Sequence, residues 1–141
     1  MAFLRASGVP NIEYWPKAAS TAFTCNALVY DNGSGAIIPA DSTSGDHVGV
    51  VLKTVASTDS DYASTTKIPV DVAGENDIFE VDCGGTATAA LIGTFIDLTN
   101  STTADEASSS KDALLVVGFI SASKLLVKIA SRKNILRTAT T

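Results

Sequence analysis

The sequence is poor in the side chains that most often do chemistry. It has one histidine, His47, and two cysteines, Cys25 and Cys83. A tetrahedral zinc site built from Cys and His needs four ligands, so this inventory excludes the common kind. A lone histidine without a nucleophile motif beside it reads as a polar residue at a strand end, not as a general base. No catalytic residue, cofactor or metal ligand is therefore expected, and the chain does not read as an enzyme. Long apolar runs are also lacking. Nothing approaches the roughly 18 residues of a membrane span, and the opening Met-Ala-Phe-Leu-Arg lacks the apolar stretch of a secretory signal. These absences predict a protein made in a cytoplasm and without a membrane partner. In that reducing compartment a disulfide is disfavoured, so Cys25 and Cys83 are expected to act as small buried hydrophobes.

Aromatic residues make up only 6% of the 141 residues, while apolar residues reach 45%. That combination predicts a folded domain with a light core and long polar connections. One domain of this size buries about two-thirds of its unfolded surface, enough for a core without a staple. Charge is distributed unevenly. The net is -5, but residues 31–112 hold fourteen acids against three lysines, whereas residues 113–141 hold Lys124, Lys128, Arg132, Lys133 and Arg137 and no acid. An acidic body with a basic end does not offer the contiguous basic face that nucleic acid requires, and it suits a protein partner better.

Residues 67–82 stand out. Ile68, Val70 and Val72 alternate with polar positions and Pro69, then Phe79, Val81 and Cys83 alternate with Glu80 and Asp82, around a link that contains Gly74. This pattern predicts an antiparallel hairpin with one wet face, with Pro69 on an edge or at one unpaired position. Asn32-Gly33, between two apolar runs, predicts a second hairpin. His47 is expected to open a strand with Val48, Val50 and Leu52 on one face. Residues 56–66 and 99–112 read as exposed polar loops, with Tyr62 exposed in the first and mobility expected of the second. Residues 86–92 allow one short helical turn. Residues 114–120 are almost wholly apolar and predict a strand covered on both faces, closing a hairpin with residues 124–129. The fold class that follows is all-β, a small single-domain β-barrel, β-tulip-like or sandwich fold, with an extended N-terminal arm over residues 1–20, a β domain over 21–130 and a basic tail over 131–141.

The arm is unusually apolar for a tail. Phe3, Leu4, Ile12, Tyr14 and Trp15, followed by Pro16, need a surface to cover, which makes them candidate partner-binding residues. Trp15 has two equally weighted roles, main anchor on a partner or lid on its own barrel. Arg132, Lys133 and Arg137 are possible further contacts.

Several pieces together resemble a known family. They are Ile12-Glu13-Tyr14-Trp15-Pro16, Gly45-Asp46-His47-Val48-Gly49-Val50, Ile68-Pro69-Val70-Asp71-Val72, Phe79-Glu80-Val81-Asp82, Gly93-Thr94-Phe95-Ile96-Asp97-Leu98 and Val117-Gly118-Phe119-Ile120. In this order, over roughly residues 12–130, the chain is similar to the head decoration, or cement, proteins of tailed bacteriophages. The resemblance implies a structural virion protein on the outer capsid surface that stabilises the expanded icosahedral head. It also implies the major capsid protein as partner, a homotrimer as oligomer, and an N-terminal arm that reaches the shell. The basic tail has no counterpart in the resemblance. The alternative is a carbohydrate- or receptor-binding β-module displayed on a particle or cell surface, for which Tyr62 is the central candidate.

Overall fold

The computed structural model describes residues 3–44 and 47–130. The fold is all-β. Among the described residues there are eleven strands, β1 (Leu4–Ser7), β2 (Ile12–Pro16), β3 (Leu28–Asp31), β4 (Ile37–Pro39), β5 (His47–Val51), β6 (Lys67–Val72), β7 (Ile78–Cys83), β8 (Phe95–Asn100), β9 (Thr103–Asp105), β10 (Leu114–Ser121) and β11 (Lys124–Ile129). One 3-10 turn, Ala89–Leu91, falls inside the stretch expected to be helical.

The strands form two sheets. The first runs β1-β7-β11-β10-β8-β9, and β9 returns to pair in parallel with β7 through Asp82 opposite Thr103 and Cys83 opposite Ala104. That pairing closes a five-stranded barrel, which leaves no long edge on this side of the molecule. β1 occupies the rest of the same side of β7, with Leu4 opposite Glu80 and Arg5 opposite Phe79. The second sheet runs β2-β6-β5-β3-β4. Just beyond β2, Lys17 bridges to Ile37 of β4, so this sheet also curls toward closure.

Each sheet has its own core. The barrel core gathers Phe79, Val81, Ile96, Leu98, Leu114, Val116, Leu125 and Val127, and takes Leu28 and Val50 from the second sheet. The second core holds Phe23, Val29, Ile37, Val48, Val51, Ile68 and Val70. β5 serves both because of a bulge: Val29 lies opposite Gly49 but Tyr30 lies opposite His47, which leaves Val48 as the extra residue. An extra residue switches the alternation of side chains, so Val48 faces one core and Val50 the other, where simple alternation had placed them together.

Gly49 shows how tightly this strand is set. A Cβ there would lie 2.1 Å from the carbonyl oxygen of Asp71 and 2.8 Å from the Cα of Val72, both in the backbone of β6. Backbone cannot move aside as a side-chain tip can. Gly49→Ala is expected to destabilise the fold by about 3 kcal/mol or more, read as a lowered midpoint in urea. A change below about 1 kcal/mol would show that the β5–β6 pairing is looser than drawn.

Four expectations are corrected. Residues 67–82 do not form a hairpin: β6 pairs with β2 and β5, whereas β7 pairs with β1, β11 and β9. The Gly74–Asp77 turn, closed by the Asp77 amide on the Gly74 carbonyl at 3.3 Å, carries the chain from one sheet into the other. Pro69 accordingly sits inside the sheet at a position without a ladder donor, while its carbonyl accepts from the Leu52 amide at 2.9 Å. The N-terminal arm is no free extension, since β1 and β2 are built into the two sheets. β10 is not covered on both faces along its length: Leu114 and Val116 are buried, Leu115 and Val117 half-buried, and Phe119 and Ile120 exposed. Finally, residues 99–112 are organised: β8 extends through Asn100, β9 closes the barrel, and the remainder folds over Asp97.

The Asn32-Gly33 hairpin forms as read, with β3 antiparallel to β4. Gly33 and Gly35 take φ of 84° and 87°, values that favour glycine. The β10–β11 hairpin also forms.

Candidate functional site

The N-terminal strands are the candidate site, and a buried ion cluster holds them in place. Arg5 on β1 forks onto Asp71 of β6, with Nε on Oδ2 at 2.9 Å and Nη2 on Oδ1 at 2.7 Å. Its Nη1 lies 2.8 Å from Asp77 Oδ1 and donates to the Ser7 carbonyl at 3.1 Å. The guanidinium carbon also stands 4.9 Å from the centre of the Phe79 ring. One cation thus ties β1 to the second sheet and to the turn between the sheets. The Asn11 amide adds a bond to Asp71 Oδ1 at 3.2 Å, and the Gly74 amide one to Asp77 Oδ2 at 2.8 Å. Burial alone would push the Asp77 carboxyl up, but the hydrogen bonds from Arg5 and Gly74 and the nearby positive charge bring it below the usual carboxylate range. Burial likewise opposes the charge on Arg5, and the two carboxylates outweigh it, so Arg5 is held even more firmly protonated than usual.

The predicted contact residues separate once placed. Phe3 lies in the barrel core, 1% exposed, with its amide donating to the Asn26 carbonyl at 2.9 Å, so it covers its own barrel rather than a partner. Leu4 is partly exposed. Ile12 and Tyr14 on β2 are 52% and 64% exposed, and Val9 just before them is more exposed still. Trp15 is half-buried against the second core, and its Nε1 donates to Glu13 Oε1 at 3.2 Å. Pro16 is half-buried beside it. Alternation explains the split, because Trp15 lies opposite Ile68 on the core side of β6 while Tyr14 lies opposite Pro69 on the other side. Arg132, Lys133 and Arg137 lie outside the described residues.

Arg5, Asp71 and Asp77 were not singled out from sequence. The available signal was a cation inside an apolar arm together with an acid, Asp71, inside an otherwise apolar strand. Lys17 was missed as well. It is fully buried, and its ammonium donates to the carbonyls of Tyr62 at 2.8 Å and Ser64 at 2.7 Å. That clamp holds down the loop before β6, and Tyr62 packs half-buried against the second core rather than standing exposed.

Both cysteines are free thiols. Cys83 is buried, which pushes its thiol up, and it contacts the Ala122 carbonyl at 3.6 Å; Cys25 is half-buried. His47 is buried at the start of β5, with Nε2 3.0 Å from Ser44 Oγ. Among the described residues no group of three His, Cys, Asp or Glu side chains comes together as metal ligands, and no helix is long and apolar enough to cross a membrane.

Comparison with family models gives no match, and comparison with curated proteins gives none either.

Proposed function

We propose that this protein is a capsid decoration protein, which binds the outer surface of an expanded icosahedral phage head and stabilises it, with the major capsid protein as its partner and the homotrimer as its working form. The observation that carries this reading is the pair of large apolar side chains, Ile12 and Tyr14, exposed side by side on a strand at the edge of the second sheet. Such a feature on a folded protein marks an interaction surface. The pieces that resemble the decoration family supply strands of both sheets, among them β2, β6, β7 and β8. Its place of work would be the virion exterior after synthesis in the host cytoplasm, with no enzymatic activity of its own.

Electron microscopy of expanded empty heads, with and without the protein, tests the reading. Density on the outer shell is expected, and bare heads at saturating protein would overturn it. The exposure pattern also reassigns the anchor. Tyr14→Ala is expected to lower head occupancy at limiting concentration with little change in melting temperature, by about 2 kcal/mol or roughly thirtyfold in affinity. Trp15→Ala is expected to lower stability by about 2 kcal/mol through lost packing, since its indole covers the second core. The reverse pattern would restore Trp15 as the anchor.

A further inference from the structure

The backbone of β2 has a chemistry separate from its side chains. The Val72 amide donates to the Asn11 carbonyl at 2.9 Å, and the Lys17 amide donates to the Thr66 carbonyl at 3.2 Å. In an antiparallel ladder, residues that exchange hydrogen bonds alternate with residues that do not. Between those two anchors, Glu13 and Trp15 therefore bond to β6, and Ile12 and Tyr14 turn their N–H and C=O groups outward. Pro69 stands opposite Tyr14 and has no N–H to offer, which agrees with this register. β2 is the edge of its sheet.

Two donors and two acceptors, repeated every second residue of an extended strand, match the pitch of another extended strand. Pro10 and Pro16 bracket them. Just past Pro16 the outer side is taken by β4, where Lys17 bridges to Ile37 and the Ala18 amide donates to the Ile37 carbonyl at 3.0 Å, so the open stretch of edge is Ile12 to Tyr14. We propose that this edge takes an extended segment of the partner chain as an added strand, hydrogen-bonded to Ile12 and Tyr14. Apolar residues of that segment lie beside the exposed Ile12 and Tyr14, and a basic residue lies beside Glu13. The charge of Glu13, exposed between the two outward positions, sets the last requirement.

The same features disfavour a second copy of this chain. Antiparallel β2 strands centred on Glu13 would place the two Glu13 carboxylates opposite each other. Centring them on Ile12 or on Tyr14 would instead bring Pro10 or Pro16 opposite an outward residue and lose donors. Like charges and edge prolines are devices that prevent strands from pairing with themselves.

The identity of the partner as a capsid protein rests on the decoration reading, but the strand addition does not, so two probes are used. Hydrogen exchange of the individual β2 amides is followed with expanded empty heads, and separately with peptides selected against the folded protein from a displayed random library. The Ile12 and Tyr14 amides are expected to slow by about tenfold or more on binding, while those of Glu13 and Trp15, already in the ladder, stay as they were. Tyr14→Pro removes an outward donor and no ladder bond, and is expected to bind about tenfold more weakly than Tyr14→Ala. If the proline variant does not fold, the exchange measurement decides. Head binding without slowed exchange at these two amides would overturn the strand and leave the decoration reading standing. Heads that do not bind at all would remove the decoration reading, and the peptides would then decide the strand alone. Selected peptides that leave both amides fast, or protection that depends only on self-association, would overturn it.

Discussion

Replacing Arg5 with methionine is expected to cost about 3–5 kcal/mol of stability, the usual penalty for removing one partner of a buried ion cluster. Arg5, Asp71 and Asp77 have side chains 14%, 7% and 12% exposed, so little water is available to replace the guanidinium. Methionine keeps an apolar stem over Phe79, which isolates the loss of charge from the loss of packing. The two carboxylates would remain close together and uncompensated, and β1 would lose its tie to the second sheet. Chemical denaturation measures the loss, and hydrogen exchange should show the amides of β1 opening before those of β11. A loss under about 1 kcal/mol would mean that the cluster behaves like a surface ion pair.

The second large effect is expected at Asp97, which is 3% exposed. Its Oδ2 accepts from Ser108 Oγ at 2.7 Å and from the amide and hydroxyl of Ser110, both at 2.9 Å; its Oδ1 accepts from the amides of Lys111 at 2.7 Å and Asp112 at 2.9 Å. One carboxylate thus substitutes for secondary structure in a loop that has little of its own. Asp97→Ala leaves these donors to find water and is expected to cost about 3 kcal/mol, with new proteolytic cleavage within residues 106–112. Burial alone would push this carboxyl up, but the hydrogen bonds from Ser108, Lys111, Ser110 and Asp112 bring it below its ordinary value. A depressed pKa stabilises the fold at pH values above that of the unfolded chain and ceases to do so as pH falls through the folded value. Wild-type protein should therefore lose stability steadily on acidification below about pH 4, and Asp97→Asn should lose less over that range. Equal slopes for the two proteins would remove Asp97 from the acid response.

Periodicity revealed the strands in the middle of the chain, though not β1, β2 or β9, and it did not reveal which strands meet. Ile68, Val70 and Val72, like Phe79, Val81 and Cys83, alternate as half-buried strands do, and both sets are strands. Alternation records one buried face per strand and carries no information about the neighbour, so proximity in sequence suggested a hairpin where the chain changes sheets. The Asn32-Gly33 turn was legible because its geometry depends on local residues alone. The loop after β8 was not, because serines and threonines look the same whether they face water or ring a carboxylate. Apolar content set the arm apart from an ordinary polar tail. It could not divide Phe3 and Trp15, which cover their own cores, from Ile12 and Tyr14, which remain exposed, since that division depends on the register with β6 and β7.

The clamp at Arg5 also has a meaning in time. Arg5 meets Asp71 across 66 residues, and Asn11 meets the same carboxylate across 60. At the usual pace of synthesis of about 5–20 residues per second, those partners emerge roughly 3–13 seconds after the strands that need them. Through that interval Phe3, Tyr14 and Trp15 have no sheet to join. Pairing of this kind, dominated by distant contacts, is slow to form, because loop closure precedes any reward from the contacts. Of the described strands, β1 and β2 thus wait longest for their partners, and until those emerge the growing chain carries exposed apolar side chains with no sheet to cover them.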